Sequence, residues 1–75
     1  MAALNKTESR LGALREVEGG KISYSPRSGT YSDADGVVSG ARRRTFAELR
    51  ASGAIETGEP VTLTAFGASL IADWS

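Results

Sequence analysis

The chain has 75 residues, with nine basic and nine acidic side chains and neither cysteine nor histidine. A chain of this length makes one domain and buries only about 60% of the surface its unfolded form exposes, so its stability is modest. The missing residue types exclude disulfides, thiolate nucleophiles, Cys/His zinc sites and histidine-based acid–base or Ser-His-Asp catalysis.

The balanced charge is unevenly placed. Between residues 21 and 44, Lys21, Arg27, Arg42, Arg43 and Arg44 stand against Asp33 and Asp35, whereas residues 51–75 carry Glu56, Glu59 and Asp73 and no basic residue. No apolar run approaches the roughly 20 residues that a membrane span needs. The opening segment M-A-A-L-N-K-T-E-S-R lacks the apolar centre of a signal peptide. The expectation is a soluble, cytoplasmic protein that neither enters a membrane nor holds a cofactor. Absence of cysteine agrees with a reducing compartment. Richness in alanine, arginine and glycine suggests a bacterial or phage coding sequence of high GC content.

Residues 4–17 predict the first helix. Asn5 is the expected cap, with Glu8 three residues on completing a capping box. Leu4, Leu11, Leu14 and Val17 share a stripe with Thr7, leaving Arg10, Arg15 and Glu16 for solvent. Gly12 weakens the middle by up to about 1 kcal/mol relative to alanine, and Gly19-Gly20 ends the helix. Residues 20–36 carry no clear helical pattern. I-S-Y-S at 22–25 alternates as a strand does, Pro26-Arg27-Ser28-Gly29 predicts a turn, and Thr30-Tyr31-Ser32 a return strand. Asp33-Ala34-Asp35-Gly36 predicts a second turn, with a short helical turn around 32–36 as the alternative. D-A-D-G is no EF-hand: with Gly36 as the central glycine, the first loop position falls on Tyr31 and the last on Arg42.

Residues 39–52 predict a basic helix, with Ser39 as cap and Gly53 as stop. At about 100° per residue, Val38, Thr45, Phe46 and Leu49 face inward, and Arg43, Arg44, Ala47, Arg50 and Ala51 face out. Arg42 falls toward the apolar side, at the rim, with its stem over Val38 or Phe46; the alternative is that the helix starts later than Ser39. Arginines interleaved with alanines can approach a groove closely. Arginine grips phosphate in a bidentate fork and reads guanine O6 and N7 in the major groove. The bland alternative is a solvated charge run. The R-R-x-T pattern ending at Thr45 is also a weak phosphorylation signal.

Residues 55–57 and 61–63 predict two short strands around Gly58-Glu59-Pro60, a hairpin. Thr64 caps a closing helix over 65–74, in which Phe66, Leu70 and Trp74 recur at fourfold spacing beside Ile71. Gly67 marks a close approach to another element. Trp74 is either folded back to seal the core or part of a contact with another chain. The expected core is Leu11, Leu14, Val17, Ile22, Tyr31, Val38, Phe46, Leu49, Ile55, Val61, Leu63, Phe66, Leu70 and Ile71.

The order L-x-x-x-G-x-I, a turn, V-x-L-T, then a helix with an early glycine resembles the winged helix-turn-helix superfamily over residues 38–74. The resemblance implies a small α+β winged-helix-like domain over residues 1–75: helix, hairpin or turn region, basic recognition helix, β-hairpin wing and C-terminal helix. It departs from the family pattern at residues 20–36, where a short second helix would stand. The leading expectation is a small protein binding double-stranded DNA, either a transcriptional regulator or a phage or mobile-element accessory factor. Arg43, Arg44 and Arg50 would make the contacts, with Ala47 allowing close approach and Arg42, Lys21 and Arg27 adding to the basic surface. Two carboxylates near the wing tip, Glu56 and Glu59, oppose phosphate there. The alternative is an adaptor or inhibitor that binds a protein partner through Trp74 and Glu59 on the same scaffold. A homodimer fits either reading. An enzyme acting on a small molecule is not expected, since no base is available to activate a nucleophile.

Overall fold

Helix α1 (Glu8–Glu18) begins where the Thr7 side-chain oxygen accepts the Arg10 backbone N–H at 3.0 Å. That bond satisfies one of the donors a helix start leaves unpaired. The computed structural model describes residues 4–75. The helix therefore starts later than expected, and Thr7 replaces Asn5 as its cap. Asn5 serves differently: its backbone carbonyl accepts the Arg10 guanidinium at 2.7 Å. Leu4, ahead of the helix, lies half-buried against the core. Gly19 caps the C-terminal end.

Three strands follow as an antiparallel meander: β1 (Ser23–Ser25), β2 (Thr30–Asp33) and β3 (Gly36–Val37). Tyr24 pairs with Tyr31 and Ser32 with Val37. The first hairpin is the expected one. The third strand stands where a helical turn was the alternative. The Asp33 carboxylate accepts the Asp35 N–H at 2.8 Å and closes the D-A-D-G turn, the usual way an aspartate organises a turn.

Helix α2 (Gly40–Ala51) follows Ser39, whose side chain makes no capping bond. The reason is Gly40, whose φ of +63° is left-handed. The regular turns effectively open at Ala41, so Ser39 lies one residue too far out to cap them. At the other end Gly53 adopts φ +84° and donates its N–H to the Arg50 carbonyl at 3.0 Å, a reversal that glycine makes without steric cost. Thr45 is buried and its hydroxyl donates to the Ala41 carbonyl at 3.0 Å, which removes it as an accessible modification site.

Strands β4 (Ile55–Glu56) and β5 (Thr62–Leu63) are shorter than expected and pair Ile55 with Leu63. Their connecting loop does not project. The Gly58 carbonyl accepts the Tyr24 N–H at 3.0 Å, and the Val61 N–H donates to the Ile22 carbonyl at 2.8 Å. The loop thus runs along the outer edge of β1 and ties the two sheets together. Helix α3 (Ala65–Trp74) closes the chain, its N-terminus capped by Thr64 at 3.1 Å from the Gly67 N–H.

The described residues form a small α+β arrangement of three helices and two antiparallel sheets. Helix α1 is its hub, touching α2, α3 and β5. Leu14, Ile22, Phe46, Leu49 and Val61 are fully enclosed. Four expected core residues are not: Phe66 is 39% exposed, and Leu11, Leu63 and Ile71 are only half-buried. Ala13 and Ala54 are buried in addition. On α3 the inward stripe is Gly67, Leu70, Ile71 and Trp74, which turns Phe66 to its margin. Trp74 is half-buried against the core. No helix among the described residues is long and apolar enough to cross a membrane.

Candidate functional site

Helix α2 presents its outer face as expected: Arg43, Arg44, Ala47 and Arg50 are all exposed. The small Ala47 side chain leaves room between the arginines, and two open clefts meet there. One, of about 560 Å³, is lined by Gly40, Ala41, Arg43, Arg44 and Ala47. The other, of about 400 Å³, lies between α2 and the β1–β2 hairpin and is lined by Tyr24, Gly29, Tyr31, Arg43, Ala47, Arg50 and Ala51. Arg43 and Ala47 belong to both, so the two form one continuous surface.

The acidic side chains near α2 are drawn to its other sides. Glu48 receives Arg10 from α1 at 3.3 Å. Glu16 and Asp33 are held by Arg42 at 2.7 and 2.9 Å. Among the described residues neither Arg43 nor Arg44 pairs with a carboxylate. Arg42 lies in a depression with Phe46 and bridges α1 to the β2–β3 turn through Glu16 and Asp33. The Arg42 hydrogen bond, helped by the Asp35 N–H, holds the Asp33 carboxyl below its ordinary value.

Arg50 is fixed by the hairpin. Its guanidinium carbon lies 5.3 Å from the centre of the Tyr24 ring, and one nitrogen donates to the Tyr24 hydroxyl at 3.4 Å. Such stacking lowers the freedom of the side chain and keeps its charge at the surface. Beneath it runs an aromatic column. Tyr24 and Tyr31 have ring centres 4.9 Å apart, and Tyr31 stacks on Phe46 at 5.3 Å. Tyr24 and Tyr31 were expected only as strand and core residues. Their direct pairing across the hairpin is the signal that they share one face.

The remaining expected basic residues lie elsewhere. Lys21 follows α1, and Arg27 sits in the β1–β2 turn. Neither lines the two clefts. Beyond Arg50 the basic surface is bounded by Glu56, which shares a depression with Arg50, Ile55 and Thr57. Glu59 is exposed in the β4–β5 loop, beside Tyr24 and Pro26. Comparison with known proteins finds no family model, no curated protein and no solved structure that matches the chain.

Proposed function

We propose that this domain binds double-stranded DNA by setting the outer face of α2 into the major groove, as a transcriptional regulator or a phage or mobile-element accessory factor. The observation that carries the reading is that Arg43 and Arg44, beside Arg50 and around the small Ala47, pair with no carboxylate among the described residues, while Glu48, Glu16 and Asp33 are occupied by Arg10 and Arg42. The order basic helix, hairpin, closing helix supports a winged-helix arrangement. The loop of the hairpin is bound to β1 and leaves Glu59 exposed beside Tyr24, a carboxylate that opposes phosphate on that side. One domain of this size makes few contacts, so useful specificity needs a second copy or a neighbouring protein.

Fluorescence anisotropy of labelled duplex tests the reading. Affinity should fall linearly in log–log salt as counterions are released. The Arg43→Ala/Arg44→Ala double variant should lose binding while keeping its fold. No binding at low salt, where attraction is strongest, rejects the reading for the isolated domain. A second reading, a small protein-binding adaptor or inhibitor, is favoured by one observation: Phe66 is 39% exposed on α3, on an element without a basic residue. Under that reading Phe66→Ser, not the arginine pair, abolishes partner binding.

A further inference from the structure

The hydroxyl of Tyr31 is buried and its hydrogen has no acceptor among the described residues. Such a group costs free energy unless something satisfies it. Tyr31 lines the cleft between α2 and the β1–β2 hairpin, and so do Arg43 and Arg50. No carboxylate lines that cleft. Burial pushes the Tyr31 phenol above its ordinary value, with the Arg50 charge and the Arg50 guanidinium N–H beside the phenol oxygen opposing. The phenol therefore stays protonated at neutral pH and keeps a hydrogen to donate.

The neighbouring cleft between α1 and α2 is the informative contrast. It is lined by Arg42 but also by Glu8 and Glu16, and Arg42 is already held by Glu16 and Asp33. An anion finds no unspent charge there. In the hairpin cleft it finds two arginines and one unused donor.

We propose that the cleft between α2 and the β1–β2 hairpin is a phosphate-binding site, in which Arg43 and Arg50 hold the charge and the Tyr31 hydroxyl donates to a phosphoryl oxygen. Arg50 reaches the anion from its stacked position on Tyr24, so little freedom is lost on binding. The phosphoryl group has two sources, a backbone phosphodiester of DNA or the phosphomonoester of a free nucleotide. With the first source the inference rests on the DNA reading and deepens it. With the second it stands alone.

The test uses the isotope-labelled full chain and follows the arginine Nε–Hε and Tyr31 ring resonances. Inorganic phosphate, a 5′-mononucleotide and a short duplex are titrated in turn. Tyr31→Phe removes only the hydroxyl. Because that hydroxyl donates to nothing in the free protein, its loss should change the melting temperature little. It should weaken phosphate binding about tenfold, the scale of one hydrogen bond to a charged group. Arg43→Ala, on the surface, should weaken binding of inorganic phosphate too. Arg44→Ala, outside the cleft, should weaken the duplex alone. Phosphate that perturbs Arg27 and not Tyr31 overturns the site, as does equal affinity in Tyr31→Phe. Duplex binding that depends on Arg44 but ignores Tyr31→Phe rejects the cleft and leaves the DNA reading standing. Phosphate and nucleotide binding that depends on Tyr31, with no duplex binding, does the reverse.

Discussion

Gly12 and Gly67 both sit inside helices, yet a methyl group has opposite consequences at the two. At Gly12 a Cβ meets nothing within 4 Å. Gly12→Ala should raise stability by about 0.5–1 kcal/mol, the ordinary helix gain. At Gly67 a Cβ would stand 2.0 Å from the Ala54 carbonyl oxygen and 3.3 Å from Leu63 Cδ2. That oxygen also accepts the Thr64 N–H at 3.1 Å, so it cannot yield cheaply. Gly67→Ala should cost about 1–3 kcal/mol through overpacking. Urea midpoints of the two variants should move in opposite directions, and a shared direction refutes the assigned contact. Asp33 makes a different kind of residue-scale prediction. Its carboxyl is held below the ordinary value by the Arg42 hydrogen bond, so folding favours the ionised form. That contribution is complete above the unfolded carboxylate value, about pH 4, and is lost as pH falls through the folded value. In melting experiments across pH, Asp33→Asn should lie below the parent at neutral pH, and the gap should close as pH drops below about 4. A gap that stays constant through acid means the carboxylate charge is not what Arg42 stabilises.

The three helices show why their cores were only partly legible in the sequence. The inward stripe of α1 is Ala13, Leu14 and Val17, and that of α3 is Gly67, Leu70, Ile71 and Trp74. Each opens on a residue that an apolar count passes over, so Leu11 and Phe66 were assigned inward and turned out to lie at the margins. Caps separate the same way. Thr64 accepts the Gly67 N–H at 3.1 Å and also donates to the Gly53 carbonyl. Thr64→Ala should cost about 1 kcal/mol. Ser39 carries an equally good capping residue type but makes no capping bond. Ser39→Ala should change stability by only a few tenths of a kcal/mol, within the range of an ordinary surface change. Chemical denaturation of the pair checks this, and equal losses would mean that Ser39 caps α2 after all. The arginine face of α2 was readable because helical rotation alone fixes it. The Tyr31 cleft was not, because it exists only once the hairpin has packed on α2. The same holds for the β4–β5 loop: no local pattern announces that Gly58 and Val61 will bond to β1.

At the scale of the whole molecule, the candidate surface and the core share one structure. The column Arg50, Tyr24, Tyr31 and Phe46 runs from the basic face to a fully enclosed ring. Helix α1 joins it to α3 and β5 through the same core cluster. Truncating Phe46 therefore removes the base of the hairpin and the inner face of α2 together. Phe46→Ala should cost about 3–5 kcal/mol, against a total of about 4–11 kcal/mol for a 75-residue chain at typical stability per residue. The variant should melt at a clearly lower temperature than the parent. Trp74, the only tryptophan, lies on α3 at the end of the chain and half-buried against the core. Its fluorescence reports on an element distant in sequence from Phe46. If one cooperative unit links them, far-UV circular dichroism and Trp74 fluorescence should melt together in the parent, and both midpoints should fall together in Phe46→Ala. A variant in which helicity falls while the Trp74 signal holds would show that α3 keeps its packing without α2. The basic face would then rest on a smaller unit than the shared core implies.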